Sequence, residues 1–168
     1  MKKILSLLGT ITLIGTSTTS LVACNNKHKI NEYTKEQLEK LKKEKQINTT
    51  DENIKNNLEW IASQEKPFNN VDNKYYFVVW RGDKNDDWRI VKFQINEEQR
   101  EKQILEEYKN FRLILHNQKV LYIIEIAKRG ILWDRENFDY IKSVYRWNLY
   151  TDIPDLDVNN KTGEIKIK

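Results

Sequence analysis

The chain has 168 residues, of which 39% are apolar and 11% aromatic, enough to build one domain with its own core plus appendages. Its 29 Lys and Arg against 25 Asp and Glu give +4, but without Lys2 and Lys3, which belong to an N-terminal segment, the balance is 27 against 25, or +2. So small an excess supplies no basic field for a phosphate backbone, and nucleic acid is excluded as an expected partner.

Residues 1–23 have the three parts of an export signal: the basic start Lys2-Lys3, an apolar run over 4–14, and a small-residue end. Because residues 16–20 are all Ser and Thr, the apolar run is too short for a spanning helix. It closes on Leu21-Val22-Ala23-Cys24, and Cys24 is the only cysteine in the chain. These four residues resemble the bacterial lipobox. The resemblance implies that the Cys24 thiol is alkylated by a diacylglycerol, that the chain is cut between Ala23 and Cys24, and that Cys24 becomes the acylated first residue. Each buried CH₂ of such chains contributes about 0.8 kcal/mol, so two chains hold a protein where one does not. The expected location is the outer face of the plasma membrane. With its thiol lipidated the chain has no disulfide to draw on, and stability must come from packing.

Residues 24–48 are mostly polar. Thr34 and Gln37 fit a capping box, and Leu38 and Leu41 give a narrow apolar stripe, which predicts a partly helical tether. Fully extended, it would reach on the order of 80 Å. Residues 49–64 predict a second helix, with Thr49 and Glu52 as a capping box, Ile54, Leu58 and Ile61 on one face, and Pro67 as its limit. The stretch 75–147 holds 14 of the 18 aromatic residues and reads as strands at 75–80, 88–95, 111–116, 120–126, 131–133 and 140–147. Between the first two hairpins, 96–109 is charged with an apolar patch at Ile104, Leu105 and Tyr108, and predicts a surface helix capped by Asn96. The expectation is an α+β domain over 49–151, an antiparallel β-meander of about six strands covered by one or two helices. Residues 152–168 follow as a tail or edge strand.

The segments "KYYFVVWRGDKNDDWRIVKF" (74–93), "SVYRWN" (143–148) and "NNKTGEIKI" (159–167), with the start "MKKILSLLG", resemble the uncharacterised surface lipoproteins of spiroplasmas. The resemblance implies a wall-less bacterium, a plasma-membrane anchor and outward display. It implies no activity.

Candidate sites are few. Arg81-Gly82-Asp83 is the tripeptide that adhesins present to integrins, here at an expected hairpin tip, although Gly and Asp also suit a hairpin connection for backbone reasons. Residues 83–87, "DKNDD", are acidic, but an EF-hand register would put Trp88 where Gly is needed and Gln94 where Glu is needed. His28 and His116 form no metal-ligand pair, Ser63 and Ser143 sit in no nucleophile motif, and five scattered glycines make no phosphate loop. Glu125 and Asp134 are carboxylates of the kind that flank a glycosidic bond. Trp80, Trp88, Trp133 and Trp147 suit either a sheet core or an exposed binding face. No catalytic set, metal or cofactor is expected. The reading is a lipid-anchored, non-catalytic interaction module for a host or cell-surface protein or glycan. The alternatives are a surface hydrolase acting on glycans and a structural or antigenic coat protein.

Overall fold

The computed structural model describes residues 32–95, 102–117, 119–126, 130–133 and 139–168. The export signal, Ala23, Cys24, His28, Asn96 and Asp134 lie outside the described residues.

Two short helices open the described chain. Helix α1 (Lys35–Glu44) starts with the predicted capping box, in which the Thr34 hydroxyl accepts from Gln37 N and the Gln37 side chain accepts from Thr34 N. Helix α2 (Glu52–Asn57) is capped by Asp51, whose carboxylate accepts from Ile54 N at 3.1 Å. Ten strands follow: β1 (Leu58–Trp60), β2 (Tyr75–Trp80), β3 (Arg89–Gln94), β4 (Gln103–Tyr108), β5 (Phe111–His116), β6 (Val120–Glu125), β7 (Ile131–Leu132), β8 (Ile141–Trp147), β9 (Leu156–Val158) and β10 (Ile165–Ile167). Every pairing between them is antiparallel.

The β-rich, antiparallel character was legible in the sequence, but the arrangement is not a single meander. Among the described residues the strands form a first sheet ordered β1-β8-β2-β3, a second ordered β4-β5-β6-β7, and a ribbon of β9 and β10. Only the second sheet is a meander in chain order. In the first, β8 inserts between β1 and β2, pairing Tyr145 with both Trp60 and Phe77. An extra residue in β8 between the Val79–Ser143 and Trp80–Ile141 pairs bulges the strand, which brings Ile141 onto the same face as Val144.

The first sheet is buried on both faces. On one, Tyr76, Val78, Trp80, Phe93, Ile141 and Val144 pack against Leu113, Leu115, Leu121 and Ile123 of the second sheet. On the other, Phe77, Tyr145 and Trp147 pack with Ile47, Ile54 and Leu156, while Val79 meets Trp88 and Val158. The helical segment and the β9–β10 ribbon therefore form a third layer. Double-sided burial is the reason that "YYFVVW" is continuously apolar instead of alternating. Each large apolar side chain so enclosed contributes roughly 1.5–3 kcal/mol.

Three predicted elements differ from what forms. The helix expected over 49–64 stops at Asn57, because the chain turns extended at Leu58 (φ −95°, ψ 104°) and pairs with the edge of β8, Leu58 opposite Trp147. The described part of the helix expected over 96–109 is strand β4, which pairs with β5 through a bulge between Ile104 and Glu106. The described part of the expected tether over 24–48 is docked: Ile47 is buried, and Tyr33, Leu38 and Leu41 pack on the same cluster. The C-terminal segment is a covering ribbon, with Leu156 and Val158 buried.

Two carboxylates tie the layers together. Glu106 on β4 accepts from Trp80 Nε1 at 2.7 Å and from Arg89 Nε at 3.0 Å, and so joins the two sheets. Glu59 on β1 accepts from Lys42 Nζ of α1 at 2.6 Å and from Arg146 Nη2 of β8 at 2.8 Å. Lys42 also donates to Glu65 at 2.5 Å. Burial alone would raise the Glu59 pKa, but the hydrogen bonds and charges of Lys42, Asn148 and Arg146 outweigh it and hold the carboxyl below the usual glutamate range. A folded-state pKa below the unfolded one adds stability that is fully present above the unfolded value and lost as pH falls through the folded value. Glu59→Gln is accordingly expected to cost about 1–3 kcal/mol at pH 7. Its urea midpoint should also fall less steeply than that of the wild type as pH drops below 4.5, the ordinary glutamate value. Parallel acid limbs for the two proteins would show that Glu59 is not the group responsible.

Candidate functional site

A cleft opens where the described chain begins. Gln64 holds the Tyr33 backbone from both sides, its Oε1 accepting from Tyr33 N at 2.6 Å and its Nε2 donating to Tyr33 O at 2.9 Å. Gln64 belongs to a 3-10 turn (Ser63–Glu65), and Lys66, in the left-handed region at φ 48°, links it to a second such turn (Pro67–Asn69). The reversal drives Phe68 inward, with its ring 5.2 Å from Tyr76 and 5.5 Å from Trp133. Outside Phe68 lies a volume of about 560 Å³ with an apolar floor of Pro67, Val120, Leu121 and Trp133, rimmed by Lys66, Lys119 and Glu32. Both lysines and Glu32 are exposed, and Trp133 is half-buried. Chemically, the cleft offers an apolar floor, one amphipathic indole and two cations against one carboxylate.

The four weighed tryptophans divide. Trp80 and Trp147 are fully buried, and their indole N–H groups donate to Glu106 and to Thr151 O at 2.8 Å. Trp88, 8% exposed, lies under Arg81 and Lys142, whose cationic groups are 4.3 Å and 5.5 Å from its ring centres. Gly163 (φ +72°) turns the β9–β10 ribbon against it, and a Cβ there would come within 3.0 Å of the indole and 2.5 Å of Lys142 Cδ. Burial lowers the Lys142 pKa. Trp133, half-buried, lines the cleft described above, whereas Trp88 borders a separate opening beside Asp157, Asn159 and Asn160.

The Arg81-Gly82-Asp83 tripeptide follows β2 as predicted, in the connection to β3, but its side chains are not displayed together. Arg81 is half-buried over Trp88, and its Nε donates to Asp139 O at 2.6 Å. Gly82 is buried, and a Cβ on it would lie 2.3 Å from Phe111 Cδ2. Asp83 is exposed and its carboxylate closes the turn by accepting from Asn85 N at 2.9 Å. The turn expected to present the tripeptide therefore exposes Asp83 but not Arg81, whose guanidinium covers the Trp88 face. The other carboxylates of this loop are engaged by cations: Asp86 by Lys109, and Asp87 by Lys161 at 2.6 Å.

The remaining candidates stand apart. His116 ends β5, edge-on to Tyr122; Ser143 is buried in β8; Ser63 lies in the first 3-10 turn; and Glu125 ends β6 opposite Phe111. Among the described residues no three His, Cys, Asp or Glu side chains gather as metal ligands would. Sequence reading missed the cleft because its walls come from separate segments, 63–69, 119–121 and Trp133. Pro67 was legible only as a helix limit.

Since Gly82 has no room for a methyl group, Gly82→Ala is expected to lower stability by about 1–3 kcal/mol. Asp83→Asn keeps the turn acceptor and should stay within about 0.5 kcal/mol of wild type. Denaturant unfolding of both variants checks this, and equal midpoints would show that the tripeptide is not held by packing at Gly82. Comparison with models of known protein families, with curated proteins and with solved structures gives no match.

Proposed function

We propose that the chain is a lipid-anchored surface protein, held to the outer face of a plasma membrane through Cys24, whose domain serves as a non-catalytic interaction module. One observation carries this reading: a complete Leu21-Val22-Ala23-Cys24 motif in register behind a basic start and an apolar run, holding the chain's single thiol. The resemblance of residues 74–93, 143–148 and 159–167 to spiroplasma surface lipoproteins supports it. Among the described residues no helix is long and apolar enough to cross a membrane. Of the carboxylate pair that a glycan hydrolase would draw on, Glu125 ends β6 and Asp134 lies outside the described residues. A cleft with an apolar floor and a polar rim is a surface on which a ligand or partner could be held.

Expression of the full chain in a host that processes lipoproteins tests the anchor. Wild type should incorporate labelled fatty acid and partition into the detergent phase, whereas Cys24→Ser should remain an unlabelled, uncut precursor. A Cys24→Ser chain that matures and partitions as wild type does would remove the proposal.

A further inference from the structure

We propose that the cleft of Lys66, Lys119, Val120 and Trp133 faces the bilayer that carries the anchor, and that its occupant is the anionic headgroup layer. The inference rests on the lipid-anchor reading and adds an orientation and a partner to it.

Covalent geometry carries the argument. Both backbone groups of Tyr33 are held by Gln64, and α1 begins two residues later with its apolar stripe docked. Only the span from Cys24 to Glu32, 32 − 24 = 8 residue steps, separates a lipidated Cys24 from the folded body. Eight steps cover at most about 29 Å however they are arranged. The 168 − 32 = 136 residues from 33 onward have an expected radius of gyration of about 14 Å, equivalent to a sphere about 18 Å in radius. With its exit at the far pole of that sphere the chain would need about 46 Å, a quarter turn around the surface plus one radius down to the lipid, which exceeds its reach. The region from which the chain leaves is therefore not the face turned away from the membrane.

That region is the cleft, since Glu32 is one of its lining residues. Its chemistry suits a headgroup layer. Lys66 and Lys119 are exposed at the rim, Val120 is 39% exposed, and the half-buried Trp133 lines the same cleft. Indole rings settle at the boundary between hydrocarbon and water, and lysines beside a membrane are drawn to anionic lipid. The connecting span contributes Lys27 and Lys29 to the same side of the charge balance.

The lone cysteine makes a direct test feasible. The chain from Cys24 onward, coupled through that thiol to a maleimide phospholipid in nanodiscs, is anchored whether or not a cell lipidates Cys24. With brominated phosphatidylglycerol in the disc, tryptophan quenching should be at least twofold greater in wild type than in Trp133→Phe, because Trp60, Trp80, Trp88 and Trp147 are all buried. Lys66→Glu with Lys119→Glu, and separately Val120→Asp, should reduce quenching to the Trp133→Phe level, and so should replacing the anionic lipid with phosphatidylcholine. Quenching unchanged by all of these variants overturns the orientation, as does sedimentation showing a second copy of the chain over the cleft. Failure of Cys24 lipidation in cells would instead remove the anchor reading, leaving the nanodisc result to speak for the face alone.

Discussion

The central strands β2 and β8 have no solvent face, and the rest of the fold follows from that constraint. A two-layer arrangement would leave either Tyr76, Val78 and Trp80 or Phe77 and Val79 in water, and all five are almost completely buried. The second sheet encloses the first group, while the helical segment with the β9–β10 ribbon encloses the second. Residues that look peripheral in the chain are thereby recruited to the core: Ile47 and Ile54 from the N-terminal side, Leu156 and Val158 from the C-terminal side. A domain without a disulfide in its described residues gains its enclosed apolar area by adding a layer.

Stacking layers places polar groups between them, and each is answered. Trp80 brings an indole N–H into the interface of the two sheets, where it would be costly without an acceptor; Glu106 supplies one and is itself held by Arg89. Glu59 does the same between α1 and the first sheet, joining Lys42 and Arg146. Tyr145 hydroxyl donates to Lys45 O at 3.1 Å, and burial pushes its pKa up to about 12. These bonds are directional where the surrounding apolar contacts are not, so they define how each layer is seated on the next.

Docking of α1 also changes what the N-terminal region can do. A polar stretch read as a tether is instead part of the domain: residues 33–48 fold onto the first sheet, with Ile47 buried and the Tyr33 backbone held by Gln64. The Arg81-Gly82-Asp83 turn illustrates the same principle in reverse. Its sequence suits display, yet Phe111 from the second sheet and Trp88 from β3's approach draw Gly82 and Arg81 into packing contacts.

Much of the local structure was legible. Thr34 and Gln37 mark the start of α1, and the apolar runs beginning at 75, 111 and 120 form strands β2, β5 and β6. Such signals are local, since a cap or an apolar period is complete within a few positions. What the sequence could not specify was partnership over distance. Leu58 and Ile61 have helical spacing with Ile54, but the free edge of β8, some 85 residues away, offers ladder hydrogen bonds that a helix would forgo, and the strand wins. Residues 103–108 become β4 for the same reason, by pairing with β5. The chain by itself determined an antiparallel, aromatic-rich, β-rich domain. Only the tertiary structure decided the third layer, the inward turn of Arg81 and the cleft at Trp133, because each depends on side chains that meet across segments whose spacing in the sequence carries no trace of the contact.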